Sequence, residues 1–84
     1  MYFTFSESVL KDVKKLPKPS QKRLKNKLQY WQNAPDTLAF AKAIPQHKEA
    51  THRLRAGAYR VLVKQIGQEL RILRIRHRKD VYKD

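Results

Sequence analysis

Cysteine is absent from this 84-residue chain, which excludes a disulfide scaffold, a cysteine zinc site and a thiol nucleophile. Acidic residues are scarce: seven Asp and Glu stand against 20 Lys and Arg, and the net charge is +13. No stretch approaches the ~20 consecutive apolar residues of a membrane span, and the first residues do not read as a signal peptide. We therefore expect a cytoplasmic protein with a polyanionic partner: RNA, DNA, a ribosome, an acidic protein or a membrane surface.

The rest of the composition is typical of one small folded domain. Hydrophobic residues make up 40% of the chain, which is too high a share for a disordered tail. A chain of this length can bury one core but has no room for two. We expect a single domain over residues 1–84.

The first half of the chain predicts a strand followed by two helices. Residues 1–5 are typical of a short strand, and Ser6 is expected to cap a helix that ends at Pro17. A second helix should begin near residue 19 and end near residue 33. The apolar stripes expected to face the core are Val9, Leu10, Val13 and Leu16, then Leu24, Leu28 and Trp31.

The second half predicts a β-meander. A short helical turn over 36–44 and a polar loop over 46–50 lead into strands at 51–55, 58–66 and 69–77, with Gly57 and Gly67 in the two turns. The predicted fold class is α+β: an N-terminal strand and a two-helix hairpin packed on a small antiparallel β-sheet.

Alternation along these strands predicts one basic sheet face. A two-residue turn at Ala56-Gly57 would place Leu54 opposite Tyr59 and Arg53 opposite Arg60. A β-bulge near Ile72-Leu73 would keep apolar residues of the last strand in the core. The residues then expected on the helix-covered face are Leu54, Tyr59, Val61 and Val63. Those expected on the other face are Arg53, Arg55, Arg60, Leu62, Lys64, Arg74 and Arg76.

Arginine opposite arginine is an unfavourable cross-strand pair. Charge runs in general are more often a solvated surface than a binding site. Here the charges gather on one sheet face of a strongly basic chain, which favours a phosphate-rich ligand.

Two segments resemble a known family. "RLRAGAYRVLV" (residues 53–63) followed by "LRIRHRKDVY" (residues 73–82) resembles the RelE toxins of bacterial toxin–antitoxin pairs. The resemblance implies a microbial-ribonuclease-like fold, cleavage of messenger RNA in the ribosomal A site and inhibition by a RelB-like antitoxin. One departure is Arg76, which stands where the family usually has glycine.

The resemblance also implies a metal-independent endoribonuclease, in which the 2′-hydroxyl of the RNA attacks the adjacent phosphorus and leaves a cyclic phosphate. Arginine suits the stabilisation of the phosphate charge. Arg60, Arg78 and Tyr82 match motif positions and are expected to be catalytic. His77 is either a proton-transfer group or a strand end hydrogen-bonded to backbone. The expected RNA-binding residues are Arg53, Arg55, Lys64, Arg74 and Arg76.

No strong general base is evident, and Asp80 and Glu49 are candidates only by elimination. The expected partners are the antitoxin and the ribosome with its mRNA, without a metal, a small-molecule cofactor or a membrane. Two other functions stay open. One is a ParE-like toxin that inhibits gyrase, and the other is a non-catalytic RNA- or ribosome-binding module. Arg78 and Tyr82 favour the ribonuclease.

Overall fold

The computed structural model describes residues 1–79. Its elements are β1 (Tyr2–Phe5), α1 (Glu7–Lys15), α2 (Lys18–Asn33), a 3-10 helix (Thr37–Phe40), β2 (Lys42–Ala43), β3 (His52–Ala56), β4 (Tyr59–Ile66) and β5 (Glu69–His77). The strands form one sheet in the order β1-β5-β4-β3-β2. The expected order of strand, two helices and meander is confirmed, and so is the α+β class.

The sheet is mixed rather than purely antiparallel. β1 runs parallel to β5, with Tyr2 opposite Glu69 and Phe5 opposite Ile72, whereas β2 to β5 pair antiparallel. The chain returns from β1 to its partner through both helices and the meander. This pairing makes β5 an inner strand.

Local sequence sets the helix ends. The Ser6 hydroxyl accepts a hydrogen bond from the backbone N–H of Val9 at 3.3 Å and caps α1, as the sequence predicted. Pro17 separates the helices, and the Gln21 side chain donates to the carbonyls of Val13 and Leu16, both at 3.0 Å. These bonds tie the end of α1 to α2 and give the carbonyl of Leu16, just after the helix, a hydrogen-bond donor. Neither helix within the described part of the chain has the length and apolar character needed to cross a bilayer.

The main core lies between the two helices and one face of the sheet. Its buried members are Val9, Leu24, Leu28, Trp31, Leu54, Ala56, Val61, Val63, Leu70, Ile72 and Ile75. Leu10, predicted as part of the α1 stripe, is instead exposed, because the helix presents Val9 to the sheet and turns Leu10 to solvent.

The β3–β4 register differs from the predicted one. Gly57 and Ala58 form the turn, and Gly57 adopts a φ of 61° that suits glycine. Arg60 therefore lies opposite Arg55, not Arg53, and Leu54 lies opposite Val61, not Tyr59. Moving the turn by one residue changes each pairing by two positions, so the residues keep the faces that the sequence predicted.

The predicted bulge in the last strand is confirmed. Leu62 pairs with Arg74 and Val63 pairs with Ile72, so Leu73 is the extra residue. The prediction for 36–44 was wrong at its end. Only Thr37–Phe40 is helical, and Lys42–Ala43 forms β2 beside β3, because pairing with a neighbouring strand outweighs a weak local helix signal.

Candidate nucleic-acid interface

Three arginines lie side by side on neighbouring strands, on the sheet face that the helices do not cover. Arg60 in β4 is opposite Arg55 in β3 on one side and opposite Arg76 in β5 on the other. Adjacent strands are about 4.8 Å apart, so side chains of this row project close together. We call these three residues the arginine row. Concentrating this much like charge gives a surface that attracts anions.

The next row along the strands is different, because its centre is apolar. Leu62 lies opposite Arg53 and Arg74 and is buried under Ile44 and Ala50 of the 44–50 loop. The loop therefore covers the middle of the open face. Lys42 of β2 lies opposite Arg53 and adds a charge that the sequence reasoning missed.

Arg74, expected to bind RNA, already has a carboxylate partner. Its Nε and Nη2 donate to Oδ2 and Oδ1 of Asp12 in α1 at 2.9 and 3.2 Å. Asp12 Oδ2 also accepts from the backbone N–H of Ile75 at 3.0 Å, at the β5 edge beyond its pairing with β1. This ion pair fixes α1 against β5.

Lys64 lies at the far end of the open face. It is opposite Arg71, which forms an ion pair with Glu69 at 3.2 Å. The hydrogen bond that Thr4 donates to Glu69, helped by Arg71, lowers the pKa of the Glu69 carboxyl. Four residues of strand put Lys64 roughly 13 Å from Arg60, so Lys64 can meet only a more distant phosphate than the arginine row.

A cleft of about 410 Å³ opens between the 44–50 loop and β5. It is lined by Ser6, Ser8, His47, Glu49, Leu62, Leu73, Arg74 and Arg76. The structure thus brings Glu49 to a cleft that a member of the arginine row also lines. The sequence indicated Glu49 only by elimination and Ser6 only as a helix cap.

His47 organises the loop beside this cleft. Its Nδ1 accepts the backbone N–H groups of Glu49 and Ala50 at 3.1 and 2.9 Å. A nitrogen that accepts two donors carries no proton, so the neutral ring holds its proton on Nε2 and can donate there but not accept. Among residues 1–79, no three His, Asp or Glu side chains gather as a metal site.

Two other predicted catalytic residues, His77 and Arg78, lie at the end of β5. His77 is opposite Tyr59 on the helix-covered face, with ring centroids 5.3 Å apart, and its Nδ1 accepts the backbone N–H of Lys79 at 3.2 Å. Arg78 is exposed, and its backbone N–H donates to Ala58 at 2.7 Å, beside the β3–β4 turn. Tyr82 and Asp80 lie outside the described residues.

Fold and site together define a small α+β domain that carries a row of arginines on the sheet face opposite its helices. A sequence model described as the ParE toxin of the type II toxin-antitoxin system parDE matches residues 3–82. The chain therefore belongs to this toxin family, within the RelE/ParE superfamily, and the predicted superfamily membership is confirmed.

Solved RelE structures share the fold. A chain of the RelB-RelE antitoxin-toxin complex from Methanococcus jannaschii is 27% identical, with 94% of each chain covered and a TM-score of 0.74. A chain of the RelBE2 complex from Mycobacterium tuberculosis is 22% identical over 90% of this chain and 95% of that one, with a TM-score of 0.76. A chain of the RelE-RelB complex from Pyrococcus horikoshii OT3 is 21% identical over 92% of this chain and 93% of that one, with a TM-score of 0.69. Curated protein sequences give no significant match.

Proposed function

We propose that this type II toxin is a ribosome-dependent endoribonuclease that cleaves mRNA in the A site and so inhibits translation in the cytoplasm. The observation that carries the proposal is the arginine row. Three guanidinium groups across one row of an open sheet face match an RNA backbone in charge and in hydrogen-bonding geometry. The likeness to RelE chains supports the ribonuclease branch.

The reaction proposed here needs no metal. The 2′-oxygen bonds to phosphorus, the bond from phosphorus to the 5′-oxygen breaks, the 2′-proton leaves to a base, and the 5′-oxygen gains a proton. Arg60 lies at the centre of the row and is assigned to the charge that builds on the phosphate oxygens. Arg78 and Tyr82 are assigned supporting roles because they match positions of the RelE motif. Arg53 and Arg55 are assigned to binding of the RNA strand.

Glu49 is our choice for the group that takes the 2′-proton. It lines the same cleft as Arg76, and carboxylates act as general bases when a substrate proton comes within hydrogen-bond reach. Glu49 is exposed, so the ribosome must orient the substrate toward this carboxylate. Orientation alone can contribute an effective concentration of roughly 10⁵ M or more.

The proposed inhibitor is a cognate RelB-like antitoxin. Three of the similar structures are complexes of a RelE with its antitoxin. An acidic or amphipathic segment laid across Arg53, Arg55 and Arg60 would neutralise the face that we assign to RNA. Opposite charges speed such an encounter, and added salt slows it.

The test is in vitro translation with the cleaved message mapped at codon resolution. We expect cuts with 5′-hydroxyl ends that appear only when ribosomes are present. Naked mRNA is the matched control and should stay intact. Efficient cutting of naked RNA would disprove ribosome dependence, and arrest without any cut would favour a non-catalytic ribosome-binding module.

Gyrase inhibition is the second candidate, because the family model that matches is that of ParE toxins. A supercoiling assay with purified gyrase separates the two. Loss of supercoiling while the mRNA stays intact would favour the ParE-like function over the ribonuclease.

A further inference from the structure

A pair of exposed aromatic side chains lies on the outer surface of α2, away from the sheet. Tyr30 is 60% exposed and Phe40 is 44% exposed, and their rings meet edge to face with centroids 5.5 Å apart. The amino group of Lys27 lies 6.0 Å from the centre of the Tyr30 ring. Neither aromatic belongs to the cores described above.

A buried hydrogen bond sets the position of Phe40 beside Tyr30. The buried Thr37 hydroxyl donates to the Trp31 carbonyl at 2.8 Å and fixes the 3-10 helix that carries Phe40 against the end of α2. At the other end of the surface, Arg23 packs over the β3–β4 turn, where a Cβ on Gly57 would come within 2.8 Å of Nη1 of Arg23. We call Arg23, Lys27, Tyr30 and Phe40 the α2 platform.

Tyr30 stands between two concavities of different character. One, of about 480 Å³, is lined by Pro19, Lys22, Arg23, Asn26, Lys27 and Tyr30. The other, of about 580 Å³, is lined by Tyr30, Asn33, Ala34, Pro35, Asp36, Ala39 and Phe40. The first offers three cations and no acid. The second offers two aromatic faces with polar groups, Asn33 and Asp36, at its rim.

We propose that the α2 platform is a second RNA-binding site, which takes one unpaired nucleotide. The base stacks on one of the two rings and meets the edge of the other, since the ring planes are inclined by 66°. Asp36 accepts a hydrogen bond from an N–H group of the base and repels a phosphate. The phosphate therefore lies on the other side of Tyr30, against Arg23 and Lys27. Aromatic stacking beside a cationic groove is how proteins bind single strands without strict sequence preference.

The α2 platform and the arginine row face opposite ways, because α2 covers the sheet face that the row does not use. A folded RNA that contacts both sites is bound more tightly than by either site alone. The inference goes beyond the proposed catalysis and holds whether or not the arginine row cleaves RNA.

The experiment is a fluorescence-anisotropy titration with labelled single-stranded A12 and U12 RNA, without ribosomes. It uses the full chain carrying Arg60→Ala, which weakens binding at the arginine row. In that background we expect Tyr30→Ala to lower the affinity at least about fivefold and Tyr30→Phe to leave it unchanged. Tyr30→Leu, which keeps apolar contact with Phe40, should also bind weakly and serves if the alanine variant does not fold.

Lys27→Gln and Lys25→Gln form a matched pair, because they remove the same charge from the same helix. Lys25 lines the apolar groove on the opposite flank of α2. Only Lys27→Gln should lower the affinity and reduce the salt slope by about one. Equal losses from both lysines, or wild-type affinity in Tyr30→Ala, would overturn the proposal. If Tyr30→Ala leaves the RNA affinity unchanged but weakens binding of the antitoxin, the α2 platform binds a protein and not RNA.

Discussion

The two faces of the sheet are made from alternate residues of the same strands, yet they do different work. On the helix-covered face, Val61, Val63 and Leu70 are completely buried. On the open face lie their neighbours Arg60, Leu62 and Lys64, and the buried Leu62 is covered by the 44–50 loop. The covered face supplies most of the free energy of folding, and the open face carries the arginine row.

This division separates stability from activity along the chain. Because the side-chain period of a strand is two, a substitution at one position of β4 should affect folding and the next should affect binding. The predictions below test that separation, starting with the largest effect.

Leu54→Ala should destabilise the fold by about 2–5 kcal/mol, since it leaves a cavity in the main core. Urea unfolding followed by the fluorescence of Trp31 measures this change. Leu62→Ala is the matched control in the small cluster with Ile44 and Ala50, and it should cost less because a surface loop can settle into the space. Equal losses of unfolding free energy in Leu54→Ala and Leu62→Ala would contradict the view that the helix-covered face provides most of the stability.

Arg60→Ala and Arg78→Ala should each lower the cleavage rate by roughly 100-fold or more if each arginine stabilises the transition state. The unfolding free energy of Arg78→Ala should change by less than about 1 kcal/mol, because Arg78 is exposed. Arg60→Lys should not restore the rate, because an ammonium lacks the paired donors of the guanidinium fork.

Arg71→Ala is the control for these variants, since Arg71 lies on the open face at the end far from Arg60. It should retain nearly full activity in the same assay. If it loses as much as Arg60→Ala, the face acts through total charge and not through the arginine row.

Asp12→Ala should cost about 1.5–3 kcal/mol, because Asp12 binds Arg74 and the backbone of Ile75 at the edge of β5. Asp12→Asn keeps the shape of the side chain and should cost less. Urea unfolding of both variants checks this order. The result would be contradicted if α1 stays docked at wild-type stability in Asp12→Ala.

Glu69→Gln should have the smallest effect, and a pH-dependent one. The folded-state pKa of Glu69 is lowered chiefly by the hydrogen bond from Thr4, below the ~4.3 of an unfolded chain. Its ionised form therefore adds stability that is fully present above that pH and is lost as pH falls through the folded pKa. Melting temperatures of the wild type and of Glu69→Gln should differ at pH 7 and converge as the pH falls through the folded-state pKa of Glu69.

Most of the fold could be predicted from local signals. Ser6 and Pro17 set the limits of α1, and alternation in β4 fixed which residues face the helices. The bulge at Leu73 followed from the cost of burying arginine. The predicted faces are correct although the predicted turn at Gly57 is wrong by one residue, because that error changes each pairing by an even number of positions.

What the sequence could not predict depends on contacts between distant segments. β2 forms only because β3 lies beside it, and the cleft of Glu49 exists because Ile44 and Ala50 settle on Leu62. Asp12 carries no sequence signal that would assign it to Arg74, 62 positions away. Tyr30 could be placed on α2, but its contact with Phe40 required the position of the 3-10 helix.

The parallel pairing of β1 with β5 has a consequence for the order in which the chain can fold. Thr4 meets its partner Glu69 across 65 positions of sequence, so loop closure over most of the chain precedes that contact. During synthesis β1, α1 and α2 are made before any strand that could cover their apolar sides. The covered face is therefore completed only after β5 has been made, and we expect slow folding for a chain of this size.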